Sequence, residues 1–468
     1  MSGPMRRIET DLLVVGGGPA GLEAARAAAE AGIAVDLVDA GFRPGGQYWM
    51  QDPTGAAPLS VQGEEGAAAI AKSQASGVAF HAGAEVFAAF PDRRVLANTA
   101  DGPIEFVPRA IIVATGAHDR AMPFPGWTLP GVMTPGAGQR LAKLGGASAG
   151  ERVVLAGSGP FLLAVAETLV KLGKPPVALI EARHTDLAII AHLARHPGRW
   201  REAARLLVAA RAIPERRSGW IVTEAIGDER VTAIRIAPVD RSGRIDRDRS
   251  ETIGGIDALL VGWGFRPMIE LTALLRCRHE HDPALGGWHC ITDRASGRTS
   301  VEGVYAAGEV TGIAGAVPAR LSGRLAGLSA AADLGADTAG DESERASLGE
   351  QLARARAFSD GLGRLYAPPA DLATLAQDDT IVCRCEEITR AEIASAFAAG
   401  TDAVAGAKIW TRAGMGRCQG RICGAAIADI AAAETGITPR EAGFNPPRIP
   451  LRPVPLSAVL EATRDGQE

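Results

Sequence analysis

Three things are scarce in this 468-residue chain, and each scarcity closes off a class of protein. Cysteine is the first. Six residues are too few and too uneven for the disulfide framework of a small secreted protein, because Cys277 and Cys290 stand apart from Cys383, Cys385, Cys418 and Cys423. Charge of one sign is the second. With 49 basic and 54 acidic residues the formal charge is −5, which gives no global electrostatic reason to expect a nucleic-acid or anionic-membrane partner. The third is apolar length. No run reaches the ~20 residues of a membrane span, and the basic start at residues 1–7 leads into a stretch interrupted by Asp11, unlike a secretory leader. The expected location is therefore cytoplasmic, where thiols stay reduced.

What is plentiful is apolar material, at 47%, with 57 glycines and 29 prolines that follow no three-residue period. That mixture excludes collagen, coiled coil and general disorder. The length predicts two to four domains. Residues 9–15 read as a buried strand, 19–31 as a helix and 34–39 as a second strand, a βαβ unit. Residues 110–115 form another strand before the Pro- and Gly-rich passage 122–138, expected to cross between domains. A second βαβ pattern follows at 152–156, 161–172 and 177–181. The fold class is α/β, with two Rossmann-like dinucleotide-binding domains.

Gly16-Gly17-Gly18-Pro19-Ala20-Gly21 sits at the first strand-to-helix turn, and Asp39 ends the next strand about 20 residues on. Gly16 permits the tight turn, Gly18 lets a pyrophosphate approach the backbone, and Gly21 lets helix and strand pack closely. The helix N-terminus can hold the phosphate charge, and Asp39 can accept ribose hydroxyls. The motif alone fits FAD and NAD equally. The second turn, Gly157-Ser158-Gly159-Pro160-Phe161-Leu162, ends its unit at Glu181. Leu162 replaces the third glycine and should push the helix outward, leaving the site altered, adapted or empty. Glu181 favours a free ribose, whereas Arg183 and His184 could attract a 2′-phosphate.

Near the C-terminus, Cys383-Arg384-Cys385 is followed by Cys418-Gln419-Gly420-Arg421-Ile422-Cys423. Two close pairs can converge on one tetrahedral thiolate site, zinc included, or on a binuclear iron cluster. No CxxC or CxxxxC pair lies beside either nucleotide turn, so a dithiol relay has no obvious residues there. Cys277 and Cys290 read as isolated structural thiols. No substrate base stands out: His81, His118, His184, His192 and His196 all suit structural or surface roles, and the catalytic residues are unassigned.

Residues 11–21, Gly45-Gly46-Gln47, Val113-Ala114-Thr115-Gly116 and Val304-Tyr305-Ala306-Ala307-Gly308-Glu309 resemble the FAD-binding elements of two-dinucleotide-domain flavoprotein oxidoreductases. The resemblance implies FAD in the first fold, held by Gly16, Gly18, Pro19, Ala20, Gly21, Asp39, Ala40, Gly45, Gly46, Gln47, Thr115, Gly116, Gly308 and Glu309. Two positions depart from the family: Asp39 stands where Glu is usual and Glu309 where Asp is commoner. Gly157, Gly159, Pro160 and Glu181 would form a second site for an adenine nucleotide, ATP or NAD(P).

The stretches VCRCEEIT and GMGRCQGRICG resemble the BFD-like [2Fe-2S] domain fused to large subunits of amino-acid and opine dehydrogenases. Nearly the whole chain is similar to alpha subunits of opine oxidases and of hydroxyproline and proline dehydrogenases, and to the FAD-binding subunit of hydrogen cyanide synthase. That resemblance implies Cys383, Cys385, Cys418 and Cys423 as cluster ligands in a small helical domain. As partners it implies an FAD-dependent, amino-acid-oxidase-like beta subunit and a small ferredoxin-like subunit, with an FMN at the interface. The chain would then relay electrons between flavin and cluster after C–N oxidation of an amino acid or opine; the alternative is a stand-alone NAD(P)H:acceptor oxidoreductase. The expected organisation is an FAD-binding part at 1–120, a second nucleotide-binding domain at 121–265 and a return to the first at 266–335. A helical linker at 336–375, the [2Fe-2S] domain at 376–436 and a Pro-rich tail with a short helix at 437–468 complete it.

Overall fold

The computed structural model describes residues 5–52, 61–184, 187–337 and 342–464; residues 1–4 of the basic start and the last four of the tail lie outside them. The chain divides into two units, one formed by Met1–Ala117, Arg266–Asp360 and Pro446–Glu468, the other by His118–Phe265 and Gly361–Asn445.

In the first unit, the strand Arg6–Val15 lies between Val35–Asp39 and Gly102–Val113, parallel to both. Its second half, Leu12 to Val15, is buried on both faces, which is why the sequence there is an unbroken apolar run. Val304–Ala306 adds in parallel to the end of Gly102–Val113, while Val95–Thr99 and Glu85–Ala89 extend its beginning as an antiparallel ribbon. The helix Pro19–Glu30 opens on proline, whose missing N–H costs nothing at that position. Its alanine face packs on the helix Ala316–Asp333. A Cβ at Gly323 would stand 2.1 Å from the Ala20 carbonyl oxygen, and one at Gly327 2.2 Å from that of Ala24. Only hydrogen at these two positions allows so close a crossing, and neither glycine belongs to a nucleotide-binding motif.

The second unit repeats the plan with an all-parallel sheet, ordered Glu215–Ser218, Ala178–Glu181, Val153–Gly157, Ala258–Gly262 and Val132–Met133. A three-stranded antiparallel sheet, Trp220–Ile226, Ala233–Pro238 and Glu251–Gly254, adjoins it. The chain then returns as a helical extension: a two-stranded turn at Ile381–Cys383 and Ile388–Thr389, followed by the helices Arg390–Ala398, Val404–Thr411 and Gly424–Thr435. The extension shares its core with the nucleotide fold. One continuous apolar cluster runs from Phe124, Trp127, Ile221 and Val231 to Val382, Ile393, Phe397 and Ile427. The Trp127 indole donates to the Ile381 carbonyl at 2.6 Å, and Arg120 pairs with Asp429 at 2.5 Å. The architecture is thus two Rossmann-type folds with a C-terminal helical extension. Among the described residues, no helix is long and apolar enough to cross a membrane.

Candidate nucleotide and thiol sites

Three strands and a helix build the first site. The Gly16 N–H donates to the Val38 carbonyl, and Gly16 adopts a φ of +107° with its Cβ position 2.3 Å from the Ala114 carbonyl oxygen, so no side chain fits. The Asp39 carboxylate accepts from Gly17 N–H at 2.5 Å and from Gly41 N–H at 2.6 Å. Burial pushes its pKa up against these two bonds. The same carboxylate that ends the strand therefore also clamps the glycine turn. Gly18 caps the helix with no side-chain hydrogen bond, leaving the first-turn N–H groups for an anion.

Several of the other positions expected to hold FAD lie against this turn. The Gly45 N–H donates to the Gly17 carbonyl at 2.7 Å, and Gly46 lies so close to the turn that its Cβ position is 2.9 Å from the Gly18 Cα. Ala40 and Gln47 are exposed beside them, and Ala20 is buried. A Cβ at Gly308 would be 2.8 Å from that of Ala20, which sets the Gly308–Thr311 turn against the same helix start. Glu309 accepts through Oε1 from the N–H groups of Ala314 at 3.2 Å and Gly315 at 2.5 Å. Thr115 donates to the Met268 carbonyl at 2.8 Å, and Gly116 has a φ of +78°, its Cβ position clear of every described residue. The fold thus gathers Gly16, Gly18, Pro19, Ala20, Gly21, Asp39, Gly45, Gly46 and Gly308 around one helix start.

Sequence reasoning missed several residues here. Ser322 receives the Gly308 N–H at 3.0 Å, and buried Trp49 has no hydrogen-bond partner for its indole N–H among the described residues. Arg320 lies 5.2 Å over that Trp49 ring and pairs with Glu23. No short-range motif marks any of them.

The second turn has the same clamp. Glu181 accepts from Gly159 N–H at 3.0 Å and from Arg183 N–H at 2.9 Å. Gly157 has a φ of +126° and a Cβ position 1.8 Å from the Gly262 carbonyl oxygen. Leu162 is buried in the core with Val153, Leu155 and Val165, and the helix begins at Phe161, after Pro160, whereas the first begins at its proline. Burial pushes the Glu181 carboxyl up to about 7. The folded state therefore holds this proton more tightly than the unfolded chain, and stability present below the ordinary carboxylate range is lost as pH rises toward 7. Glu181→Gln cannot ionise. Between pH 5 and pH 8 it is expected to gain about 2 kcal/mol on the wild type, read as urea midpoints at both pH values; parallel behaviour would contradict the assignment.

The expectation of a [2Fe-2S] cofactor is overturned. Among the described residues, no group of three or more His, Cys, Asp or Glu side chains is arranged to hold a metal ion. Cys383 and Cys423 are buried and hydrogen-bonded to each other, while exposed Cys385 pairs with half-buried Cys418. A cluster needs its thiolates turned to a common centre, and spacing along the chain does not set that direction. The bond from Cys423 holds the Cys383 thiol down to about 5, helped by the Gly414 N–H at 3.4 Å. Asn445, unnoticed in the sequence, lies against Gly414 and Gly420, and neither end of its amide has a hydrogen-bond partner among the described residues. Cys277 and Cys290 are buried as expected but hydrogen-bonded to each other rather than isolated. FAD is the cofactor that remains supported.

Comparison with known proteins supports an FAD-dependent oxidoreductase. The family described as pyridine nucleotide-disulphide oxidoreductase matches residues 10–333, and the sarcosine oxidase A3 domain matches residues 377–464. The chain is 33% identical to an opine oxidase subunit of Agrobacterium tumefaciens (strain Ach5), over 96% of this chain and 91% of that one. It is 32% identical to hydrogen cyanide synthase subunit HcnB of Pseudomonas aeruginosa, over 95% and 97%. A solved structure, L-proline dehydrogenase from P. horikoshii, shares the fold at a TM-score of 0.71 and 19% identity, over 98% of this chain and 81% of that one.

Proposed function

The chain belongs to the pyridine nucleotide-disulphide oxidoreductase family and is an FAD-dependent oxidoreductase, and on that premise we propose that it is the FAD-binding alpha subunit of a heteromeric flavoenzyme oxidising an amino acid or opine. One observation carries the reading: similarity along nearly the whole chain to proteins named as subunits of opine oxidase and hydrogen cyanide synthase, with every glycine of the first turn in place. The partner is an FAD-dependent, amino-acid-oxidase-like beta subunit, which breaks the substrate C–H bond. All six cysteines are free thiols, the state that a reducing cytoplasm maintains.

When bound, FAD supplies the two-electron chemistry, and the protein supplies binding, orientation and electrostatics. Gly18 and the first helical N–H groups hold the pyrophosphate, and Asp39 sets the turn and receives the ribose. Gly45, Gly46, Gln47, Thr115, Gly116, Gly308 and Glu309 line the path toward the flavin end. The second turn, with Gly157, Gly159, Pro160 and Glu181, would take an adenine nucleotide, with Leu162 filling the helix–sheet contact.

Co-expression with a candidate amino-acid-oxidase-like beta subunit and anaerobic mixing with proline, hydroxyproline, glycine or an opine tests the reading. The complex is expected to bleach its flavin with one of them and release the imine or 2-oxo acid, while the chain alone does not respond. Rapid bleaching of the isolated chain by NADH or NADPH, with no amine response in the complex, would instead establish the stand-alone reductase.

A further inference from the structure

A buried cation stands behind the Gly308–Thr311 turn. Arg356, on the helix Glu342–Leu365, is only 5% exposed, although an isolated guanidinium is among the costliest groups to bury. Its Nη2 donates to the Thr311 hydroxyl at 2.8 Å, and that hydroxyl donates in turn to the Gly308 carbonyl at 2.8 Å. One turn of helix further on, the Ser359 hydroxyl donates to the Ala314 carbonyl at 2.5 Å. The helix therefore grips both ends of the segment that carries Glu309. The charges facing Arg356 are Glu309, Asp360 and Arg294. Both carboxylates act on the guanidinium through space, and the Arg356 Nε and the Asp360 Oδ1 are each buried without a hydrogen-bond partner among the described residues.

A fold that needed only a filler here would use an apolar side chain, which costs nothing to desolvate. A buried cation faced by two carboxylates and tied through one hydroxyl to the glycine that abuts the start of the Pro19–Glu30 helix sets both the position and the charge of that segment. We infer that Arg356 is a positioning residue for the flavin: it fixes the Gly308–Gly315 segment and places a buried positive charge opposite Glu309, so that electron density gained by the bound flavin is stabilised. The inference rests on FAD at the first glycine turn and on no property of the partner subunit.

The test uses the full chain with bound FAD at pH 7.5. The flavin midpoint potential is measured by anaerobic photoreduction against a reference dye, and FAD affinity by fluorescence, for wild type, Arg356→Gln and Arg356→Lys. Arg356→Gln is expected to weaken the reduced flavin relative to the oxidised form about tenfold, a fall of ~30 mV for a two-electron couple, with Arg356→Lys recovering most of it. A purely structural role would change thermal stability and leave the potential of the flavin that remains bound where it was. If Arg356→Gln does not fold, Glu309→Gln reads the same field from the other side: removing the facing negative charge must raise the potential. An unchanged potential in whichever variant folds overturns the inference. A wild-type chain that binds no FAD would instead overturn the cofactor assignment itself.

Discussion

Gly18→Ala is expected to fold like the wild type and to purify almost without flavin. Among the described residues the added methyl meets no atom closer than 3.9 Å, the Gly46 Cα, and Gly18 has an ordinary φ of −75°. The apo fold therefore has room for it. The space it fills is the approach of the pyrophosphate to the helix start, where each charge-assisted hydrogen bond lost costs about 1.5–3 kcal/mol. Losing one or two bonds predicts a rise in the FAD dissociation constant of about 100-fold. Gly21→Ala is the control of opposite kind. Its methyl would lie 1.8 Å from the Gly16 carbonyl oxygen, so strand and helix must part and the fold itself suffers. The measurements are the ratio of 450 nm to 280 nm absorbance and the thermal midpoint of the apoprotein. A Gly18→Ala protein that keeps its full complement of FAD would remove the pyrophosphate from this turn.

Trp127→Ala should destabilise the second unit by about 4 kcal/mol. Trp127 is 5% exposed and belongs to the cluster that runs from the nucleotide fold into the helical extension. Its removal leaves a cavity in both and strips the Ile381 carbonyl of its donor, while the Arg384 guanidinium loses the ring 5.1 Å beneath it. Trp127→Phe keeps most of the apolar contact and should cost about half as much. The shared core adds a second expectation: the extension and the nucleotide fold lose structure in one transition, followed by far-UV circular dichroism and by thiol accessibility of Cys383 and Cys423. A loss below 1 kcal/mol, or thiols that become reactive well before the sheet melts, would show two separate cores.

The two nucleotide folds were legible because their determinants are local. A turn with a positive φ must be glycine, a strand buried on both faces must be apolar throughout, and an acid must end the second strand; each leaves its mark within about 30 residues. Element positions followed to within a few residues, as at Pro19–Glu30 and Phe161–Lys171. The ribbon Glu85–Ala89 with Val95–Thr99 was not foreseen, since short mixed strands carry no decisive period. Ser322, Arg320, Arg356 and Asn445 were equally invisible, because their partners lie on segments remote in sequence or in loops without a motif.

The cysteines mark the boundary between the two kinds of information. Spacing brought four thiols into one lobe, yet their pairing as Cys383 with Cys423 and Cys385 with Cys418 depends on backbone direction at each Cβ, which packing against Val382, Ile427 and Gly414 decides. By itself, then, the sequence determined the two glycine turns and the acids that end the second strands, all properties of contiguous backbone, while the resemblance of segments spread along the chain implied FAD. Tertiary structure alone decided that the helical extension shares the second fold's core, that a buried guanidinium stands behind Glu309, and which way the thiols face. Those depend on distances between segments far apart along the chain, and such distances follow from burying apolar surface and satisfying buried polar groups throughout the fold at once.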